Sequence, residues 1–205
     1  MKNESKKIEE NFTLKYNNNL WLDNESRSGP GSKLSVNKTL INLIEEFIKN
    51  NNIKSIIDCG CGDFNWMQKL NINLLDFYIG IDIVEPLIVN NNLKYSNDKI
   101  KFIKSDIITD NIPCGDIIIC KDCLFHLSFD HALKVIKNIK NSNSKFLIST
   151  TFYDFDNVDI STGDWRPINL ESYPFLLGNP ILLWKNIENK KEKYVSKSIG
   201  VWSLI

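Results

Sequence analysis

Ile56-Ile57-Asp58-Cys59-Gly60-Cys61-Gly62-Asp63-Phe64 is the stretch whose reading decides the fold. Residues 55–58 form an apolar run between a polar stretch and glycine punctuation, which predicts a short buried strand. Gly60 and Gly62 let the backbone turn sharply and approach a ligand without Cβ atoms in the way. The segment after Gly62 lacks proline and glycine for several residues and reads as a helix start, holding Trp66, Met67 and Leu70. Strand, tight turn and helix N-terminus together predict a nucleotide-sized pocket.

The pattern Asp58-x-Gly60-x-Gly62 resembles the first motif of class I S-adenosylmethionine-dependent methyltransferases. The resemblance implies that the glycine loop passes under the methionine part of that cofactor. A dinucleotide site is the competing reading. It wants a third glycine three positions after the second, and Asn65 stands there. A carboxylate at Asp58 also suits a cationic amino group better than a pyrophosphate. The bland reading is a tight strand-to-helix turn that binds nothing.

The alternation downstream extends the pattern. Val36, Leu40, Leu43, Ile44, Phe47 and Ile48 recur at helical spacing ahead of the first strand. Strands are predicted at 77–82, 100–104, 116–120 and 145–151, with Pro86 opening a helix after the second. Phe129, Ala132, Leu133, Val135, Ile136 and Ile139 mark a further helix. Two strand-like runs, 181–187 and 194–205, are separated by too few residues for a helical crossover and predict an antiparallel hairpin. Short strands alternating with helices imply an α/β, doubly wound parallel sheet. Five parallel strands plus a C-terminal antiparallel hairpin are similar to the seven-stranded, Rossmann-like methyltransferase sheet. The whole chain, 1–205, is expected as one domain: an N-terminal lid segment over 1–35, and a core over 36–205 carrying an acceptor loop at 153–180. Residues before Val36 read as irregular.

Composition narrows the partners. At 205 residues, with 42% apolar and 24% charged side chains, the chain is ordinary for a globular protein. Twenty-five basic residues balance 25 acidic ones, which argues against long-range attraction to nucleic acid. No apolar run approaches the ~18 residues of a membrane span, and the N-terminus is polar, so a cytoplasmic protein without a membrane partner is expected. Five cysteines with no second Cys/His pair at zinc-finger spacing point to reduced thiols and no metal site. Only two residues are arginine, Arg27 and Arg166, which marks both as candidates for work needing a planar guanidinium.

Three acidic residues end three consecutive strands. Asp82 lies where a carboxylate accepts hydrogen bonds from two ribose hydroxyls, with Ile83 beside it. The resemblance assigns Asp106 to the adenine amino group and Ile107 to the ring. Asp58, Gly60, Gly62 and Lys121 complete the expected cofactor set, with Arg27 reaching the methionine carboxylate. Each aspartate alone reads equally as a cap or turn residue.

After the fourth strand comes Cys120-Lys121-Asp122-Cys123-Leu124-Phe125-His126. In the family this loop lies next to the transferable methyl group. His126 is therefore the expected catalytic base, with Asp122 orienting it or taking the proton itself. His131 falls on the polar side of the next helix, a surface position. No Asn/Asp-Pro-Pro-aromatic motif is present to hold a planar nitrogen, which argues for an oxygen acceptor. Trp165, Arg166 and Asn169 mix aromatic and planar polar groups and are the expected acceptor residues. Such a mix suits a saccharide or nucleotide-sugar, and hence glycan biosynthesis. Both flanking segments, around Arg27 and Arg166, resemble those of a little-characterised bacterial, phage and giant-virus branch of the class. Two other readings stand beside small-molecule O-methylation: methylation of a protein or nucleic acid, and a non-catalytic S-adenosylmethionine-binding module.

Overall fold

The computed structural model describes residues 2–185, 187 and 196–205. Seven strands, β1 Ser55–Cys59, β2 Phe77–Asp82, β3 Ile100–Lys104, β4 Ile117–Cys120, β5 Phe146–Phe152, β6 Leu182–Lys185 and β7 Lys197–Ser203, form one sheet. Their order is β3-β2-β1-β4-β5-β7-β6. The first five run parallel, while β7 pairs antiparallel with both β5 and β6. This is the expected sheet, hairpin included. The connection expected at 188–193, and Tyr194 after it, lie outside the described residues.

The helices are α1 Lys2–Asn17, α2 Leu34–Asn50, α3 Glu85–Tyr95 and α4 Phe129–Asn141. Both faces of the sheet are covered, so β1 and β4 are buried along their whole length, and β4 reads as an unbroken apolar run. On one face Leu40 and Ile44 of α2 and Leu87 of α3 pack with Ile56, Tyr78 and Phe102. On the other, Ala132, Val135 and Ile139 of α4 pack with Ile57, Ile118 and Leu147. The Ser128 hydroxyl caps α4 by accepting the His131 amide at 3.3 Å.

Two local readings are corrected. No α-helix follows Gly62; only a single 3₁₀ turn at Met67–Lys69 contains any of the expected helical residues. The Asp63 carboxylate accepts the Ser26 hydroxyl and the Arg27 amide at 2.9 Å, and Phe64 turns left-handed with φ 60°. That turn stops a helix and drives the Phe64 ring among Tyr78, Tyr95 and Phe102, with centroids 5.1–5.2 Å away.

The second correction is the N-terminus, where α1 replaces the expected irregular stretch. Ile8, Phe12 and Tyr16 recur every four residues and form one stripe pressed onto the body of the protein. Polar contacts tie the rest of α1 down. Glu9 pairs with Lys104 at 2.6 Å, and Glu4 reaches the His131 Nε2 at 3.2 Å.

Candidate active site

The turn after β1 is held from β2. The Ile81 carbonyl accepts the amides of Gly60 at 2.8 Å and Cys61 at 3.0 Å. Gly60 and Gly62 have φ of 75° and 56°, a region where a side chain costs energy. Space excludes one as well: a Cβ on Gly60 would sit 2.9 Å from the Cys123 Sγ, and one on Gly62 would strike the Ser28 hydroxyl. The Gly62 amide donates to Asp82 Oδ2 and the Val84 amide to Oδ1, both at 3.1 Å. Burial raises the Asp82 pKa above the ordinary carboxylate value, against those amides.

These groups open onto a cavity along the carboxyl ends of the parallel strands. Gly60, Gly62 and Ser28 line it at one part and Asp82, Ile83, Val84 and Leu87 at another. Asp106, Ile107, Ile108 and Leu127 line a third part, and Asp122, Cys123 and His126 a fourth. The stripe of α1, with Trp21, supplies the remaining wall. S-adenosylmethionine fits the donor set: Asp82 engages only backbone amides, so each oxygen retains a lone pair for a ribose hydroxyl. Beside Asp106 the lining is apolar, made of Ile107, Ile108 and Leu127.

His126 ends a 3₁₀ turn, Leu124–His126, on the cavity wall. Its Nδ1 lies 2.8 Å from the Asp164 carbonyl, an obligate acceptor, so Nδ1 carries the proton and Nε2 is left as the basic nitrogen. The rings of Phe12 and Trp21 flank it, with centroids 6.5 and 6.2 Å away. Burial lowers its pKa below the ordinary histidine value, with the Asp164 carbonyl opposing that shift.

Asp122 reaches the cavity but carries no hydrogen bond to His126. It accepts Lys121 Nζ at 2.6 Å, Lys197 Nζ at 3.1 Å and the Thr150 hydroxyl at 2.8 Å. Burial works to raise its pKa, yet the two lysines hold it well below the usual carboxylate range. The partner that orients His126 is therefore the Asp164 carbonyl and not Asp122.

Several expected site residues stand elsewhere. Asp58 is buried behind the glycine turn and accepts the Tyr78 hydroxyl at 2.7 Å; its place in β1 turns it to the same sheet face as Ile56. Arg27 lies outside the cavity, donating to the Asn17 carbonyl at 3.2 Å with its guanidinium 5.9 Å from the Tyr16 ring centroid. Lys121 is buried against the Gly31 carbonyl at 3.0 Å and above the Trp66 ring.

In the acceptor loop, Asn169 donates to the Tyr153 carbonyl and accepts the Glu171 amide, so it holds the loop's own shape. Arg166 is buried on the Phe125 carbonyl, and Trp165 packs edge-on to Phe125 and Phe152. None of the three lines the cavity. His131, expected at the surface, is buried with its Nδ1 2.6 Å from the Thr162 hydroxyl. Sequence reasoning missed Ser5, Ile8, Phe12, Tyr16 and Lys197; the four-residue spacing of Ile8, Phe12 and Tyr16 was the available signal for α1.

No family model matches the chain, and no curated protein matches it. Solved structures do. An S-adenosylmethionine-dependent methyltransferase from Clostridium acetobutylicum ATCC 824 superposes with a TM-score of 0.62 at 17% identity, covering 80% of this chain and 90% of that one. Magnesium protoporphyrin IX methyltransferase from Synechocystis PCC 6803, with bound S-adenosylhomocysteine, gives 0.58 at 14% identity, covering 81% and 82%. The small RNA methyltransferase HEN1 gives 0.59 at 15%, covering 81% of this chain and 25% of that one. The fold is therefore the α/β fold of class I S-adenosylmethionine-dependent methyltransferases.

Proposed function

We propose that this protein is an S-adenosylmethionine-dependent methyltransferase that methylates a hydroxyl oxygen on a small molecule. The observation that carries the reading is His126, a neutral imidazole on the wall of the cavity that Asp82, Asp106 and the glycine turn also line, with Nδ1 engaged and Nε2 basic. When bound, S-adenosylmethionine supplies a methyl carbon activated by its sulfonium. Asp82 would hold the ribose hydroxyls, Asp106 the adenine amino group, and Ile83, Ile107 and Ile108 the faces of the ring. The backbone at Gly60 and Gly62 would run beneath the methionine part. The first 35 residues act as the lid, with Phe12, Tyr16 and Trp21 keeping water from the reacting atoms. His126 Nε2 accepts the hydroxyl proton, and alignment by the surrounding walls supplies the rest of the acceleration.

The saccharide reading rested on Trp165, Arg166 and Asn169. With Arg166 and Asn169 turned into the loop's own bonding, the aromatic groups of the lid, Phe12 and Trp21, are the nearest candidates to meet an acceptor. The test begins with calorimetry of S-adenosylhomocysteine binding. Labelled methyl donor is then offered with sugars, nucleotide-sugars and hydroxylated aromatics, and with cell extract fractionated into metabolites, protein and RNA. Label in a small-molecule hydroxyl supports the reading; label in protein or RNA, or absence of cofactor binding, overturns it.

A further inference from the structure

The segment expected to bind the acceptor instead braces the turn that carries His126. The Gly163 amide donates to the His126 carbonyl at 2.7 Å, and the Arg166 amide to the Phe125 carbonyl at 3.2 Å. Asp164, whose carbonyl meets Nδ1, lies between those two bonds. Ser128 and Phe129 just beyond the turn donate their amides to the Thr162 hydroxyl at 3.0 Å and to Asp159 Oδ1 at 2.7 Å.

Arg166 is the key of this brace. Its Nη1 donates to the same Phe125 carbonyl at 3.2 Å, and its guanidinium carbon lies 5.2 Å from the Phe129 ring centroid. Nε and Nη2 are buried without a hydrogen-bond partner among the described residues. Burying a guanidinium with unpartnered nitrogens destabilises a fold. A cost borne there calls for a return elsewhere, and the geometry beside it supplies one. A lysine offers neither the plane that lies on Phe129 nor a second nitrogen to span the turn.

We infer that Arg166 is a positioning residue for His126: by clasping the Phe125 carbonyl from its amide and its side chain, it fixes the 163–166 turn so that the Asp164 carbonyl holds Nδ1–H and Nε2 stays basic. The inference deepens the reading of His126 as the base and rests on it for its catalytic meaning. The charged groups around the imidazole are Lys15 from α1, Asp122 from the loop after β4, and Arg166 itself.

The chain has only two histidines, so a protein with ring-¹⁵N histidine gives two sets of signals. His126→Asn and His131→Asn assign them. Wild-type His126 is expected as a single Nδ1–H tautomer with a titration midpoint below the ordinary histidine value. Arg166→Lys retains the charge and loses the guanidinium half of the clasp; Arg166→Met loses both the charge and that half. In each, the His126 signals should become a mixture of tautomers in place of the single Nδ1–H form. Affinity for S-adenosylhomocysteine should stay within about twofold, because residues 163–166 do not line the cavity.

Gly163→Ala gives a second route, since its φ of 107° and the Asn11 Nδ2 at 2.7 Å leave no room for a Cβ. It should reproduce the mixed tautomer with Arg166 intact, and it decides the matter if Arg166→Met does not fold. An Nε2–H tautomer in the wild type, or folded Arg166→Lys and Gly163→Ala proteins with an unchanged tautomer, would overturn the inference. Full turnover by His126→Asn with the tautomer shift intact would remove the base and leave the brace standing.

Discussion

Ser5 and Asp106, 101 residues apart in the chain, are joined by a 2.5 Å hydrogen bond from the Ser5 hydroxyl to Asp106 Oδ2. The other carboxylate oxygen accepts the Ile108 amide at 3.0 Å. The bond ties the N-terminal helix to the carboxylate proposed to meet adenine, so lid closure and cofactor placement share one group. Ser5→Ala should loosen that closure. A lone neutral-to-charged hydrogen bond contributes about 1 kcal/mol or more, equivalent to at least fivefold in an opening equilibrium. Association and dissociation of S-adenosylhomocysteine should both quicken severalfold, with the equilibrium affinity changing less than either rate. Stopped-flow fluorescence of Trp21 is the measurement; unchanged rates would detach Ser5 from lid motion.

Asp82→Ala should weaken S-adenosylhomocysteine binding by more than ~1.5 kcal/mol, through loss of charge-assisted contacts to two hydroxyls. The variant also releases the Gly62 and Val84 amides, so its circular dichroism must be matched to wild type first. Unchanged affinity by calorimetry in a folded variant would remove the ribose assignment.

Asp58 carries a stability signature of its own. Burial lifts its pKa from the ordinary carboxylate value of 3.8 to about 7, opposed by the Tyr78 hydroxyl. A folded-state pKa above the unfolded one means the native state binds the extra proton between those values. The contribution is complete below about pH 4 and is lost as pH rises through about 7. Asp58→Asn keeps an oxygen for Tyr78 and has no charge to bury. It should therefore raise the melting temperature at pH 8 and do so much less at pH 5. Equal shifts at both pH values would show that Asp58 is not the titrating group.

His126→Asn should lower kcat by ~10²-fold or more, the usual scale of general-base catalysis, while S-adenosylhomocysteine affinity stays close to wild type. Because burial lowers the His126 pKa, the base is already deprotonated at neutral pH. Turnover should therefore be flat above neutrality and fall only on the acid side, as Nε2 becomes protonated. A wild-type profile that keeps rising well above pH 7 would point to another base.

The seven strands and the strand-end placement of Asp82 and Asp106 were legible because their signals are local. A parallel strand buried on both faces must be an apolar run, and a sharp turn after it needs glycine at Gly60 and Gly62, so periodicity and punctuation carry the information. The hairpin followed from a gap too short for a crossover.

Other features depended on partners far along the chain. Phe64 reads as helical until Asp63 is seen held by Ser26 and Arg27, more than 30 residues away. Helix α1 is mostly polar, so the four-residue spacing of Ile8, Phe12 and Tyr16 was its one local signal, and the cavity that stripe covers gives it its meaning. The direction of a side chain was equally out of reach: Asp58, Arg166 and Asn169 are chemically suited to ligands, and tertiary packing turned each onto a protein group instead. The sequence by itself determined the sheet and the loop that carries the histidine, because hydrophobic period and backbone sterics act between near neighbours. Which nitrogen of His126 carries the proton was decided only by the fold, since the carbonyl that settles it arrives from Asp164, 38 residues later.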